Sequence, residues 1–418
     1  MTRDPRSGAA ESGAAVSGAR ACGARAPRAL VIGAGVIGAA TAHRLAEAGV
    51  SVTVLDAAGP AQRTSSATFS IDVTHLKTPY SYFELNRRSS VLHRELEGHE
   101  AWRHPAPLVQ WGHTDAERRT IRERAERLAG WGHACRTADP AELRTLAPAA
   151  DPASCRADEL VVHDDAAWYD APALARALLD RAAVLGAEIR YDTPVTGLLR
   201  EGGEGGASGA GGGRVLGVVA RGRTWEADHV VNCAGPDAGR IAAMAGVELP
   251  LRQIPGLVGE SVPLPEGPLG AILATPGVDL RPAPGGRVCA ISWAVDGLLD
   301  PSAETAVPAG ADLLAHCAEV LPALRTGSLA GLRVGVRPVP EDGLPLVGPH
   351  PEAPGLYTVV THSGVTLAPL LGLLAAREIS SGAVAGELEP YRPDRDTSRP
   401  VRDESLAVMS GYRVETEG

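Results

Sequence analysis

The sequence predicts a mixed α/β fold of more than one domain, and three observations support this prediction. The chain has 418 residues, whereas a domain averages about 150. Residues 29–56 run in the order apolar strand, glycine turn, helix, β-branched strand and acid, which is typical of a parallel sheet covered by helices. Residues 287–293 show the alternation of a strand with one buried face.

The composition argues against several classes of protein. A net charge of -10 disfavours non-specific binding to nucleic acid and to anionic membranes. The six cysteines form no C-x-x-C pair and no zinc-like spacing with histidine, so we expect no metal site and a reducing, cytoplasmic location. The sequence contains no run of about 20 apolar residues, so we expect no membrane span. Residues 1–27 lack the apolar core of a signal peptide and are predicted to be a disordered leader.

The glycine turn carries the first functional prediction. In the pattern G-x-G-x-x-G, Gly33 permits the tight turn, Gly35 lets the backbone approach a pyrophosphate, and Gly38 allows close packing of helix on strand. Val36 and Ile37 open the helix, whose N-terminus attracts phosphate. Asp56 ends the second strand, where an acid accepts hydrogen bonds from a ribose diol, and its charge argues against NADP. The pattern alone does not distinguish NAD from FAD.

Two motifs near the C-terminus extend this pattern. Residues 335–348 read G-V-R-P-V-P-E-D-G-L-P-L-V-G, and residues 362–369 read H-S-G-V-T-L-A-P. Together with the segment 63–70, these motifs resemble the family of FAD-dependent D-amino-acid oxidases, glycine oxidases and sarcosine oxidases. The resemblance covers residues 29 to about 385. It implies FAD as the cofactor, and the absence of cysteine from residues 333–348 implies that the FAD is not covalently attached.

The resemblance also implies a set of FAD-binding residues. The motif 362–366 is expected at the flavin pyrimidine ring and ribityl chain, Val195 at the adenine, and Ala234 with Gly235 under the phosphates. Beyond the glycine turn and Asp56, the predicted FAD-binding residues are Arg63, Ser65, Ser66, Val195, Ala234, Gly235, His362, Ser363, Gly364, Val365 and Thr366.

The family architecture implies a Rossmann-like FAD-binding domain interleaved with a substrate domain on an antiparallel sheet. We assign residues 28–74, 151–246 and 331–395 to the FAD-binding domain. Residues 75–150 and 247–330 are assigned to the substrate-binding domain, and residues 396–418 to a C-terminal tail. Helices are expected at 81–97, 115–129, 173–185 and 368–379, and residues 202–213 are expected to form a flexible hairpin loop.

Three residues are candidates for contact with the substrate or for a part in catalysis. The resemblance gives Arg337 the role of holding the substrate carboxylate, for which a guanidinium is well suited. Asp279 takes the place of an aromatic residue in glycine-oxidase-like relatives, so it either holds a second ammonium of a basic substrate or lies in water at a strand end. Lys77 is the only lysine beside 39 arginines, and it either assists electron transfer near the flavin or has survived by chance on a surface loop.

The family implies hydride transfer from an amine-bearing carbon of an amino acid, primary or N-substituted, to flavin N5. The resulting imine hydrolyses to a keto acid or aldehyde, and O2 or another acceptor reoxidises the flavin. A flavin monooxygenase is the alternative, although the chain lacks the Gly-Asp pair typical of that class, and a non-enzymatic flavin-binding protein is a third reading. The expected partners are a small amine or amino acid and an electron acceptor, and the oligomeric state stays open.

Overall fold

A computed structural model describes residues 25–98, 101–202, 213–264, 269–297, 299, 306–325 and 329–399. Nearly all of the predicted leader, most of the C-terminal tail and the centre of the glycine-rich loop at 202–213 lie outside these residues.

The described residues form strands β1 to β19 and helices α1 to α9 in chain order. The strands are β1 Arg28–Ile32, β2 Ser51–Leu55, β3 Arg103–Pro105, β4 Leu108–Gln110, β5 Arg136–Ala138, β6 Leu160–His163, β7 Ala167–Tyr169, β8 Glu188–Arg190, β9 Val195–Arg200, β10 Val215–Ala220, β11 Arg223–Glu226, β12 His229–Asn232, β13 Leu251–Ser261, β14 Ile272–Ala274, β15 Asp279–Ala283, β16 Arg287–Ile291, β17 Leu329–Pro340, β18 Leu346–Pro349 and β19 Leu356–Val360. The helices are α1 Val36–Glu47, α2 Tyr80–Leu96, α3 Asp115–Gly130, α4 Leu143–Leu146, α5 Ala171–Val184, α6 Ala238–Ala243, α7 Trp293–Asp296, α8 Ala306–Val320 and α9 Gly364–Ser381.

A six-stranded sheet in the order β18-β19-β12-β1-β2-β8 is parallel except for the edge pair of β18 with β19. Strand β1 lies at its centre, with β2 on one side and β12 on the other. The carboxyl ends of these three strands therefore meet at one edge of the sheet, where open α/β sheets bind their ligands.

Helix α1 packs on this sheet and against the helices α5 and α9, which also contact strands of the sheet. Small residues make the packing close: a Cβ on Gly372 of α9 would lie 2.7 Å from the carbonyl carbon of Ala40 in α1. This close packing holds the N-terminus of α1 in place at the edge of the sheet.

A second sheet of eight strands has the order β17-β13-β16-β15-β14-β4-β6-β5 and is antiparallel except for the pair β14 and β4. Its strands β13 and β17 pair along almost their whole length. Helix α8 covers part of this sheet through Leu313 and Cys317, which are fully buried in its own apolar core. Strands β9, β10 and β11 form a separate antiparallel sheet, and β3 pairs with β7.

The structure confirms the α/β class and the four predicted helices, whose ends differ from the prediction by at most four residues. Strand β6 and most of β17 fall in ranges assigned to the FAD-binding domain but lie in the eight-stranded sheet, whereas α2 falls in a range assigned to the substrate-binding domain but packs against α9. Every residue of β6 is buried, and a fully buried run looks the same in either sheet. Among the helices described, none has the length and apolar character that a membrane crossing requires.

Candidate functional site

A cavity of about 930 Å³ lies between the two large sheets. Its lining begins with residues that follow β1, β2 and β12 and continues to residues of β13 to β16. All of the predicted site residues line it except Gly38, which lies under the turn, and Ser66, whose hydroxyl donates to the carbonyl of Arg63. The fold therefore brings nearly the whole predicted set to one cavity.

The turn after β1 approaches the end of β12 so closely that two of its positions have no room for a side chain. Gly33 has a φ of +109°, and a Cβ there would lie 2.5 Å from the carbonyl oxygen of Cys233. A Cβ on Gly38 would lie 1.9 Å from the carbonyl oxygen of Gly33. Glycine is required at both positions for this turn to fold.

The same turn places the N-terminus of α1 on the cavity. Gly35, Val36 and Ile37 line the cavity wall, and the Val36 N–H donates to the Ser65 hydroxyl over 3.2 Å. The first N–H groups of a helix have no partner within the helix, and the positive end of its dipole lies there. This end of the cavity is therefore suited to an anionic phosphate.

Asp56 joins the ends of the two central strands. Its carboxylate accepts hydrogen bonds from the N–H groups of Ala34, over 2.7 Å, and Ala58, over 2.8 Å. A carboxylate has further acceptor positions, which a ribose diol can use. Val195 lies nearby at the start of β9, and Arg63 forms an ion pair with Asp237 after β12.

The loop between β19 and α9 carries His362 and meets Lys77 from the opposite side of the cavity. The fully buried Lys77 places its Nζ 3.3 Å from Nε2 of His362 and 5.2 Å from the centre of the Tyr82 ring. Burial, with the positive charges of Lys77 and Arg337, lowers the pKa of His362 well below its usual value. The imidazole is therefore neutral and accepts a hydrogen bond from the Lys77 ammonium.

Arg337 reaches the cavity from β17 and is held by Asp296 of α7. One nitrogen, Nη2, donates to the Asp296 carboxylate over 2.5 Å and to the carbonyl of Pro255 over 2.8 Å. The other carboxylate oxygen of Asp296 accepts the Leu257 N–H over 2.7 Å. Nε of Arg337 is buried and has no hydrogen-bond partner within the described part of the chain. The guanidinium is thus fixed in orientation and retains a buried donor.

Asp296 belongs to the site although the sequence analysis did not select it. Burial raises the pKa of its carboxyl, against the opposing effects of the Arg337 charge and the Leu257 hydrogen bond. Nothing in the sequence marks this pair, because 41 residues separate the two partners.

Asp279, the first residue of β15, lies on the wall of the cavity. The indole N–H of Trp293 donates to its carboxylate over 3.3 Å, and the same ring lies 5.1 Å from the guanidinium carbon of Arg337. Burial raises the pKa of Asp279 to about 7, despite the Trp293 hydrogen bond, which acts in the opposite direction.

Arg124 is a further cavity residue that sequence reasoning missed. Helix α3 is rich in arginine, yet only Arg124 and Leu128 of this helix are buried. Its positive charge contributes to the lowered pKa values of His75 and His163, both of which are lowered mainly by burial. Nothing in the sequence distinguishes it from the other arginines of this helix.

A family model described as DAO, FAD dependent oxidoreductase, matches residues 28–378. The chain belongs to this family. FAD is therefore its cofactor, and the site fits this group: the turn at 33–38 forms a backbone cradle that a Cβ would fill, the N-terminus of α1 suits a pyrophosphate, and Asp56 suits a ribose.

Two curated relatives and one solved structure describe the similarity. Glycine oxidase of Geobacillus kaustophilus is 31% identical over 53% of this chain, and the match spans only 56% of that protein. Hydrogen cyanide synthase subunit HcnC of Pseudomonas aeruginosa is 25% identical over 77% of this chain and 76% of its own length. The crystal structure of the Geobacillus kaustophilus glycine oxidase superposes with a TM-score of 0.76 at 22% identity, covering 88% of this chain and 99% of that one.

The buried pair of Asp296 and Arg337 generates a prediction about stability. We expect Asp296→Asn to lower the free energy of unfolding by about 3 kcal/mol, because it leaves the buried Arg337 charge without a counterion. Urea denaturation followed by circular dichroism measures this change. The double variant Asp296→Leu with Arg337→Met, which removes both charges, should lose less than the single variant.

Asp312→Asn is the matched control, since Asp312 is an exposed acid on α8. The prediction is wrong if Asp296→Asn is as stable as this control.

Proposed function

We propose that this DAO-family oxidoreductase oxidises the C–N bond of an amino acid, primary or N-substituted. The observation that carries the proposal is the fixed guanidinium of Arg337 on the wall of the same cavity as the FAD-binding turn. The sequence similarity to a glycine oxidase agrees with it. A soluble location in the cytoplasm is part of the proposal and is supported by five free cysteines in the described chain.

Arg337 binds the substrate carboxylate in this proposal. Asp296 and the Pro255 carbonyl occupy Nη2, and Nε is buried, so Nη1 is the nitrogen left for the substrate. A charged donor held in place before binding pays little entropy when the carboxylate arrives. The substrate is thereby oriented with its α-carbon at a fixed distance from Arg337.

The positive charges of the cavity favour the reactive form of the amine. An amine must be neutral to lose a hydride from its α-carbon, and nearby cations disfavour the ammonium form. Lys77 and Arg337 both act on the His362 loop and so lie close to the reacting end. FAD, when bound, accepts the two electrons and the hydrogen of the C–H bond. Water hydrolyses the imine that remains to a keto acid or aldehyde and releases ammonia or an amine, and O2 or another acceptor takes the electrons.

The FAD is held without a covalent bond in this proposal. Among the described residues, Cys233 is the cysteine that lines the cavity, and burial raises its pKa to about 12. A thiol that stays protonated at neutral pH is a poor nucleophile toward a flavin. Precipitation of the holoenzyme with acid should therefore release all of the yellow flavin into the supernatant, and a yellow pellet would contradict this prediction.

The proposed reaction predicts that an amine substrate bleaches the flavin under anaerobic conditions. Stopped-flow absorbance with D- and L-amino acids and N-alkyl glycines identifies the substrate class. Arg337→Lys keeps the charge but loses the planar pair of donors, so kcat/KM for the substrate found should fall by about 100-fold. Bleaching by NADPH and by no amine would instead support a monooxygenase.

Lys77 is proposed to stabilise negative charge that develops during electron transfer. Its ammonium is fully buried beside a neutral imidazole, where a charge acts strongly because water is excluded. Lys77→Met should therefore weaken the affinity of the oxidised holoenzyme for sulfite by about 10-fold and lower the flavin reduction potential.

Lys77→Arg is the control, because it keeps the positive charge. Unchanged sulfite affinity, reduction rate and reoxidation rate in Lys77→Met would remove Lys77 from the mechanism.

A further inference from the structure

We propose that Asp279 binds a second, positively charged nitrogen of the substrate, so that the preferred substrates are diamino acids or other basic amines. This inference rests on the proposed oxidation of amino acids at the same cavity, and it names the class of substrate.

Asp279 is a carboxylate in apolar surroundings. It pairs in the sheet with Ala274 of β14 and Ile291 of β16, and all three residues line the cavity. The residue is half-buried, and a carboxylate partly removed from water is unfavourable unless a cation or several donors compensate it.

The described part of the chain places no cation in contact with this carboxylate. No Lys, Arg or His nitrogen there lies within the 4.0 Å ion-pair distance of the Asp279 carboxylate. Its hydrogen bonds come from the Trp293 indole and the backbone of Thr275. The raised pKa, about 7, follows from this lack of compensation, and a bound ammonium would lower it.

The Trp293 ring contacts both Asp279 and Arg337, so one substrate could bind to both side chains. The Trp293 ring separates them, because its edge donates to Asp279 and its face lies against the Arg337 guanidinium. Arg337 is compensated by Asp296, whereas Asp279 is not. A substrate with its carboxylate at Arg337 and a cationic group at Asp279 would extend past the indole.

Arg124 is the charged group that argues for a different ligand. It lines the same cavity from α3, and its charge lowers the pKa of Asp279, although it is the weakest of the four effects on that group. A substrate with a second carboxylate would use Arg124 instead. The half-buried acid, which no cation contacts, favours the cationic group, and titration with an amino acid and with a diacid separates the two.

The first test measures binding without turnover. The visible spectrum of the holoenzyme is titrated with 5-aminopentanoate, with hexanoate as its neutral match and with glutarate as a diacid. We expect 5-aminopentanoate to bind about 10-fold more tightly than hexanoate, because a charge-assisted hydrogen bond is gained. Equal binding, or tighter binding of hexanoate or glutarate, overturns the proposal.

The variants assign this preference to one side chain. Asp279→Asn should abolish the preference for 5-aminopentanoate and leave hexanoate affinity unchanged, while Asp279→Glu should retain part of it. Asp312→Asn, which changes the net charge equally, should behave as the wild type. If Asp279→Asn weakens both ligands equally, its role is structural and the proposal fails.

The pH dependence gives an independent readout. Between pH 6 and 8 the Asp279 carboxyl loses its proton, and an alkylammonium keeps its own, so affinity for 5-aminopentanoate should rise with pH. Hexanoate affinity should stay level, and Asp279→Asn should remove the rise. Arg124 and Arg337 are other charged groups on this part of the cavity wall.

Flavin reduction then separates this inference from the proposed function. Ornithine and norleucine have similar shapes and differ by a terminal ammonium. Faster bleaching by ornithine, lost in Asp279→Asn, supports both proposals, and faster bleaching by norleucine contradicts only the inference. If no amine bleaches the flavin, the proposed function fails, and the binding titrations still decide whether Asp279 selects a cation.

Discussion

The close backbone contact between the turn after β1 and the end of β12 is the constraint on which the site depends. Because Gly33 lies against the Cys233 carbonyl and Gly38 against Gly33, the N-terminus of α1 begins directly at the edge of the parallel sheet. Small residues in α1 and α9 maintain this position from the other side. The pyrophosphate end of the cavity is thus built almost entirely from backbone, and side-chain chemistry is left to the opposite end.

At that opposite end, the charged side chains differ in how completely groups of opposite charge or hydrogen-bond partners compensate them. Arg337 and Asp296 neutralise each other in a buried ion pair, which costs desolvation but fixes one orientation of the guanidinium. Lys77 is fully buried and places its Nζ 3.3 Å from the neutral imidazole of His362, in a water-poor site. Asp279 has only neutral donors around it. A charged side chain that lacks a counterion in the protein is the one to which a ligand group of opposite charge binds most favourably.

The eight-stranded sheet contributes the residues that distinguish this chain from a simple nucleotide-binding fold. Asp279, Trp293 and Asp296 fall within 18 residues of sequence, on β15 and α7, and each contacts a different part of the same wall. Helix α3 adds Arg124 from another direction. Substitutions in these elements can therefore change the substrate specificity while the FAD-binding turn stays the same.

The sequence by itself determined the glycine turn, Asp56, the parallel strands and the family, because each depends on local spacing and on conformations that few residues adopt. It also marked Lys77 as unusual, and the structure shows that this side chain is fully buried and does not lie on a surface loop. It did not reveal that β6 and β17 join the larger sheet, that Asp296 holds Arg337, or that one arginine of α3 faces the cavity. Only the tertiary structure decided these points, since strand pairing and burial of charge depend on residues distant in sequence, whose approach no local pattern records.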